Sequence, residues 1–146
     1  MQHTDVVTCF LLHRLPGAPE ELLILRRSQR VGTYRGRWAG VSGFVEAPPE
    51  EQAYIELREE AQLERADVTL LRRGEPLTFT DAELDREWTV HPYLFLVADY
   101  TKIQTDWENT EARWIAPQEL EQYETVPMLE EAFRRVYPPE PAGSTP

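Results

Sequence analysis

Gly43-Phe-Val-Glu46-Ala-Pro-Pro-Glu50-Glu51-Gln-Ala-Tyr-Ile55-Glu56-Leu57-Arg58-Glu59-Glu60-Ala-Gln62-Leu63 reads as a glycine-containing turn that runs into an acidic helix, and this stretch decides the fold. Pro48 and Pro49 suit a first helical turn, where the N–H that proline lacks would have no intrahelical partner. Glu50 and Glu51 complement the positive end of the helix dipole. The helix is therefore predicted to begin near Pro49. At about 100° per residue, Ala53, Tyr54, Leu57 and Ala61 fall on one apolar stripe of ordinary width, which faces the core. Glu56, Glu59 and Glu60, related as i, i+3 and i+4, share a second arc beside that stripe.

Carboxylates so spaced repel one another by roughly 0.2–0.5 kcal/mol per pair, so the cluster is either well solvated or gathered by cations. An oxygen-only ligand set selects hard ions such as Mg²⁺, Mn²⁺ or Ca²⁺ over zinc. On charge pattern alone, Glu56-Leu-Arg-Glu-Glu60 is the ordinary look of a solvated helix face. The flanking sequence is what favours a metal.

Ahead of the helix stands Arg35-Gly-Arg-Trp38-Ala-Gly-Val-Ser-Gly43-Phe-Val-Glu46, and after it Glu108-Asn-Thr-Glu111-Ala-Arg113-Trp114-Ile115 followed by Glu119-Leu120. These pieces, in this order and at these distances over about residues 6 to 123, resemble the Nudix hydrolases. Gly43 matches the opening glycine of that family's signature box, and Glu56-Leu57-Arg58-Glu59-Glu60 with Leu63 matches the run that carries its metal-ligand glutamates. Three features depart from the pattern. The stretch is two residues short, as though a Gly-Glu pair were missing between Ala47 and Pro48; Ile55 stands where an arginine belongs; and Gln62 replaces the glycine that ends the helix. The register that would match Arg58-Glu59 to the consensus Arg-Glu puts Gln62 and Leu63 where glutamates belong, and it fails. The order of Val-Val-Thr-Cys-Phe, Leu-Arg-Arg-Ser, Gly-Arg-Trp and Val-Ser-Gly is also similar to Nudix domains found fused to homologues of a translation initiation factor subunit.

The resemblance implies an α/β (α+β) fold, the Nudix α/β/α sandwich with a mixed curved sheet, in a single domain over residues 1–137. It implies a pyrophosphohydrolase that cleaves a nucleoside diphosphate linked to another moiety, with Mg²⁺ or Mn²⁺ held by Glu56, Glu59, Glu60 and the Gly43 carbonyl. Glu108 or Glu111 would be brought in on a loop as an additional ligand or base, and the choice between them stays open. Because Ile55 cannot pair with Glu59 four residues on, the alternative is a weakly active or inactive Nudix fold that binds a nucleotide or a protein partner.

The remaining sequence bounds these readings. At 146 residues the chain fits one domain. No apolar run approaches the roughly 18 residues needed to span a bilayer, and Met1-Gln-His-Thr-Asp lacks the pattern of a secretory signal. A soluble, cytoplasmic protein is expected. Cys9, the single cysteine, lies in an apolar run and reads as a buried, inert thiol. A formal net charge of −11 argues against non-specific binding to nucleic acid or to an anionic membrane, while a small nucleotide-like diphosphate is admissible if cations and arginines reset the local field. The segment Arg26–Arg37 holds five arginines in 12 residues. It reads either as solvated surface or as a phosphate-facing loop in which Arg27, Arg35 and Arg37 are the candidates, since guanidinium groups bind phosphate oxygens in bidentate fashion. Whether the chain acts alone or as a homodimer is left open.

Strands are predicted at Val6–Leu12, Leu22–Leu25, Asp67–Leu71, Glu87–Val97 and Arg113–Ile115, with Thr80–Asp85 as a polar loop and Pro92 marking a bulge or an edge. Trp38 reads as a packing residue, His91 as structural or at a substrate edge, and Trp88 and Tyr93 as core aromatics or base-stacking groups. Pro117–Glu121 opens a short helix. A last helix starts near Thr125 and Pro127, with Met128, Leu129, Ala132, Phe133 and Val136 on one face. Residues 138–146 read as a disordered tail.

Overall fold

Val6–Leu12 is apolar without alternation because its strand is covered on both faces. The computed structural model describes residues 1–105 and 108–139. In it, β1 (Gln2–His13) buries Phe10 and Leu12 in one core and Val7, Cys9 and Leu11 in another. β2 (Glu21–Arg27) divides in the same way, Leu22 and Ile24 against Leu23 and Leu25. Helix α1 (Pro49–Ala61) covers one face through Ala53, Leu57 and Ala61, and α2 (Leu129–Arg134) covers the other through Leu129, Ala132 and Phe133. The layers are therefore helix, sheet, helix. Removing the Leu57 side chain, which is fully buried, would cost about 2–5 kcal/mol.

The other strands are β3 (Trp38–Ala39), β4 (Val41–Phe44), β5 (Val68–Arg73), β6 (Leu77–Asp81), β7 (Arg86–Val97) and β8 (Asn109–Ile115), which makes eight among the described residues. The sheet runs β3-β2-β1-β7-β5, with β8 on β2, β4 on β1 and β6 on β7. It is mixed, since β1 and β7 pair in parallel over Gln2–Leu12 and the other pairs are antiparallel. Opposite β7, β1 shares its edge between two partners: β2 pairs at Leu12 and His13, and β4 pairs over Val6–Cys9.

Several elements differ from the sequence expectation. Pro92 is neither at an edge nor in a bulge. β7 pairs with β6 over Arg86–Val90 and with β5 over Tyr93–Val97, and Gly74 donates its N–H to the Pro92 carbonyl at 2.9 Å. The missing N–H of Pro92 thus faces the point where one partner strand gives way to the next, and the register shift lies in β5 between Leu70 and Arg72. β6 takes up part of the expected polar loop, and β8 begins at Asn109 rather than Arg113. Met128 is 43% exposed and in the left-handed region at φ 65°, so it precedes α2 instead of packing beneath it. The expected helix after Pro117 is a 3-10 turn, Pro117–Gln122.

The helix start near Pro49 agrees with expectation, and Gln62 takes the left-handed conformation, φ 57° and ψ 38°. Its N–H reaches Arg58 O and the Leu63 N–H reaches Leu57 O, both at 3.1 Å, the pairing that satisfies terminal carbonyls. Cys9 is fully buried, and burial pushes its thiol well above the ordinary range. Trp38, Trp88 and Tyr93 are buried, and His91 Nε2 meets Asp5 Oδ1 at 3.0 Å, tying β7 to β1. Among the described residues no helix is long and apolar enough to cross a membrane. Of the predicted tail, residues 140–146 lie outside the described residues.

Candidate functional site

A cleft of about 1020 Å³ runs from the carboxylates of α1, past β4 and the arginine-rich segment, to β6, β7 and the start of α2. At its acidic end, Glu56 is half-buried and accepts a hydrogen bond from Gln52 Nε2 at 2.9 Å. Gln52 is itself 4% exposed, and its Oε1 accepts the N–H groups of Glu46 at 3.0 Å and Ala47 at 3.1 Å. One buried amide therefore closes the shortened turn before α1 and orients Glu56. Gly43 completes the arrangement from β4, because a Cβ at that position would overlap the Glu56 carboxyl group. The glycine is needed here for close approach.

Glu60 is 5% exposed. It accepts the Ser42 N–H at 2.9 Å and Asn109 Nδ2 at 3.3 Å, joining β4 to β8. Burial raises its proton affinity well above the ordinary carboxylate range, and the charges of Glu108 and Glu56 add to the effect. Burial, with Glu59, Glu108 and Glu46 nearby, likewise pushes Glu56 up to about 7 against the opposing Gln52 hydrogen bond. Glu59 is exposed and lines the cleft. Glu108 lines it too, whereas Glu111 does not and pairs instead with Arg113 at 2.6 Å and Arg26 at 3.9 Å.

Among the described residues no three carboxylate, histidine or cysteine side chains are gathered closely enough to form a ready ligand set. The physical reason is local: Glu56 and Glu60, which repel each other, have each taken neutral amide donors. Their chemistry nonetheless suits a hard divalent cation. They are oxygen donors in a partly buried, electron-rich hollow, beside a glycine whose missing side chain leaves them room.

The candidate arginines separate. Arg27 lines the cleft, is held by its Nε donating to Thr33 O at 3.0 Å, and feels the charges of Glu60 and Glu108. Arg35 is exposed and donates to Val31 O at 2.8 Å, and Arg37 turns to Thr125 O and Glu124 at 3.4 and 3.7 Å. Neither lines the cleft. Arg30, Arg58 and Arg86 do, although the sequence reading did not single them out. Arg30 and Arg58 sit inside the quoted stretches, while Arg86 opens the ordinary strand β7 and carries no signal. Gln52 was likewise missed, since its role depends on how the turn closes.

The family model for the NUDIX domain matches residues 2–137. The chain belongs to the Nudix family. Similar solved structures include a C. elegans Ap4A hydrolase binary complex, at 17% identity and a TM-score of 0.75 over 90% of this chain and 93% of that one. RenU, a Nudix hydrolase from M. smegmatis, is 18% identical with a TM-score of 0.75, covering 92% and 84% of the two chains. The NUDIX domain of Shewanella oneidensis NrtR in complex with ADP ribose is 16% identical with a TM-score of 0.68, covering 92% and 88%. At these identities the likeness shows the fold. No curated protein sequence matches the chain. Within this Nudix fold the damaged signature box is a physically coherent unit: Gly43 on β4 faces Glu56 on α1, and Gln52 bridges the shortened turn between them.

Proposed function

We propose that this Nudix domain hydrolyses a diphosphate linkage in a nucleoside diphosphate joined to another moiety, with Mg²⁺ or Mn²⁺ as cofactor. The observation that carries the reading is the gathering of Glu56, Gly43, Glu108 and Arg27 at one end of the cleft, with the buried Glu60 carboxylate within reach of the Glu56, Glu108 and Arg27 charges. Glu56, Glu59, Glu60 and the Gly43 carbonyl hold the cation. When bound, it neutralises charge on the electron-rich diphosphate and lowers the pKa of a water. Arg27, with Arg58, which also lines the cleft, binds phosphate oxygens. Glu108 accepts the proton of the attacking water, and it is favoured over Glu111 because it lines the cleft and Glu111 does not. The ligand is small and nucleotide-like, in keeping with the ADP ribose and Ap4A named for two of the similar structures.

A second reading, a nucleotide- or partner-binding module with little turnover, draws on Ile55. It lines the cleft where the family's arginine would stand, four residues before Glu59. The test is release of phosphate or pyrophosphate from nucleoside triphosphates, dinucleoside polyphosphates, nucleotide sugars, ADP-ribose and NADH with Mg²⁺ or Mn²⁺. Hydrolysis of at least one compound, lost in Glu56→Gln, supports the enzyme. Silence across the panel, with nucleotide binding intact, supports the module.

A further inference from the structure

The stretch between β2 and β3 is a loop that holds itself together. Its base is closed by two backbone bonds, from the Arg27 N–H to Arg37 O and from the Gly36 N–H to Arg27 O, both at 2.8 Å. Within it, arginine side chains donate to carbonyl groups: Arg26 Nε to Gly36 O at 3.0 Å, Arg27 Nε to Thr33 O at 3.0 Å and Arg35 Nε to Val31 O at 2.8 Å. Residues 30–34 of the loop line the cleft. The tip reaches another part of the fold through Tyr34, whose hydroxyl donates to Asp81 Oδ2 at 2.6 Å, at the end of β6. Asp81 is a fixed post, because its Oδ1 accepts the N–H groups of Glu83 and Leu84 at 3.0 and 3.3 Å. A short bond to a carboxylate is among the stronger hydrogen bonds.

Two features make this tip movable. Gly32 and Gly36 bracket it; a Cβ on Gly32 would meet nothing within 4 Å, and Gly36 takes a positive φ of 75°, so the chain can turn at either end without steric cost. Tyr34, between them, is held at φ 50°, in the left-handed region that a side chain disfavours, and such a conformation persists only where its surroundings enforce it. Here the enforcing contact is the one its own side chain makes with Asp81. Next to Tyr34 is Trp88, a cleft residue that is 5% exposed and is covered by the Arg86 guanidinium, 4.8 Å from its ring, and by the Tyr34 ring, 6.2 Å away. We propose that residues 32–36 are a strap over the cleft, latched by Tyr34 on Asp81, which lifts to admit a ligand. This inference goes beyond the proposed function and does not depend on it.

The experiment removes the latch in the whole protein and reads the strap and the cleft separately. In Tyr34→Phe, which keeps the ring and loses the hydroxyl, hydrogen exchange at the Gly36 and Arg37 amides, both bonded in the closed strap, is expected to quicken at least tenfold while the amides of β1 and β7 keep their rates. Acrylamide quenching of Trp88 fluorescence, taken as the part of the signal that Trp88→Phe abolishes in the same background, should rise at least twofold. Asp81→Ala breaks the latch from the other side and should give the same two changes, which keeps the test open if Tyr34→Phe does not fold. Exchange unchanged in both variants, exchange that quickens equally in β1 and β7, or faster exchange without greater quenching of Trp88 would each overturn the strap. No nucleotide or metal enters these measurements, so a silent hydrolysis panel alongside both changes would count against the proposed function alone.

Discussion

Glu56→Gln in the metal-free protein is the perturbation that most sharply separates a functional carboxylate from a solvated one. Burial and the neighbouring carboxylates move Glu56 from 4.5 up to about 7. At about 1.4 kcal/mol per tenfold change in proton affinity, that shift corresponds to a ceiling of about 3 kcal/mol. Water reaches roughly half of the side chain, and screening brings the effect down to about 1–2 kcal/mol. The sign follows from proton counting. Between pH 4.5 and 7 the folded state holds more protons than the unfolded state, so Glu56 lowers stability as the pH rises through that window. A neutral glutamine keeps an oxygen for the Gln52 amide and removes the charge. Glu56→Gln should therefore be more stable than the parent at pH 7.5 by about 1–2 kcal/mol, with the difference shrinking towards zero near pH 4.5. Urea unfolding across this pH range in EDTA gives the comparison. Adding Mn²⁺ at pH 7.5 should stabilise the parent and leave the variant unchanged, because only a binder of the folded state shifts the equilibrium. A variant less stable than the parent at pH 7.5 without metal, or a difference that does not change with pH, would show that the Glu56 charge is not held at a cost in the folded protein.

Other expectations bear on the neighbouring residues. Gly43→Ala should push aside the flexible Glu56 carboxyl, so Mn²⁺ affinity falls at least tenfold in calorimetry while unfolding free energy changes by less than about 1 kcal/mol. Arg27→Ala should weaken binding of a nucleotide by about 1.5–3 kcal/mol, the range for hydrogen bonds to charged groups, whereas Arg35→Ala and Arg37→Ala, outside the cleft, should not change it; isothermal titration distinguishes them. Gln62→Gly should raise stability by about 1 kcal/mol, seen as a higher denaturant midpoint, because Gln62 is held in the left-handed region where a side chain is strained.

What could be read from the chain, and what could not, divides along physical lines. Val6–Leu12 and α1 were legible because burial on two faces, proline at a helix start and a helical stripe each leave a local pattern. β6 and the first half of β8 were not. Thr78 and Thr80 alternate with Phe79 over too few residues to separate a strand from a polar loop, and Asn109–Arg113 is an exposed strand whose only apolar residue is Ala112. Both owe their conformation to partners distant in sequence, β7 and β2. In the site, Gly43, Glu56 and Glu60 could be found because they keep the spacing of a known box. The choice of Glu108 over Glu111 depends on which of them the fold brings to the cleft. Gln52 is a polar residue on the first turns of a helix, and nothing in its sequence neighbours shows that its amide closes a turn two residues shorter than the family's. Helical spacing alone places Met128 on a packed face, but its own left-handed backbone just before α2 turns it out to the cleft wall.

The proposed function requires that the buried carboxylates of α1 form a cation site. Calorimetric titration of Mn²⁺ into the parent, Glu56→Gln and Glu60→Gln proteins at pH 7.5 decides whether they do. Saturable binding to the parent and at least a tenfold loss of affinity in each variant are expected, with circular dichroism showing all three folded. Equal affinity in the three proteins would contradict it and return Glu56 and Glu60 to the role of a hydrogen-bonded helix face.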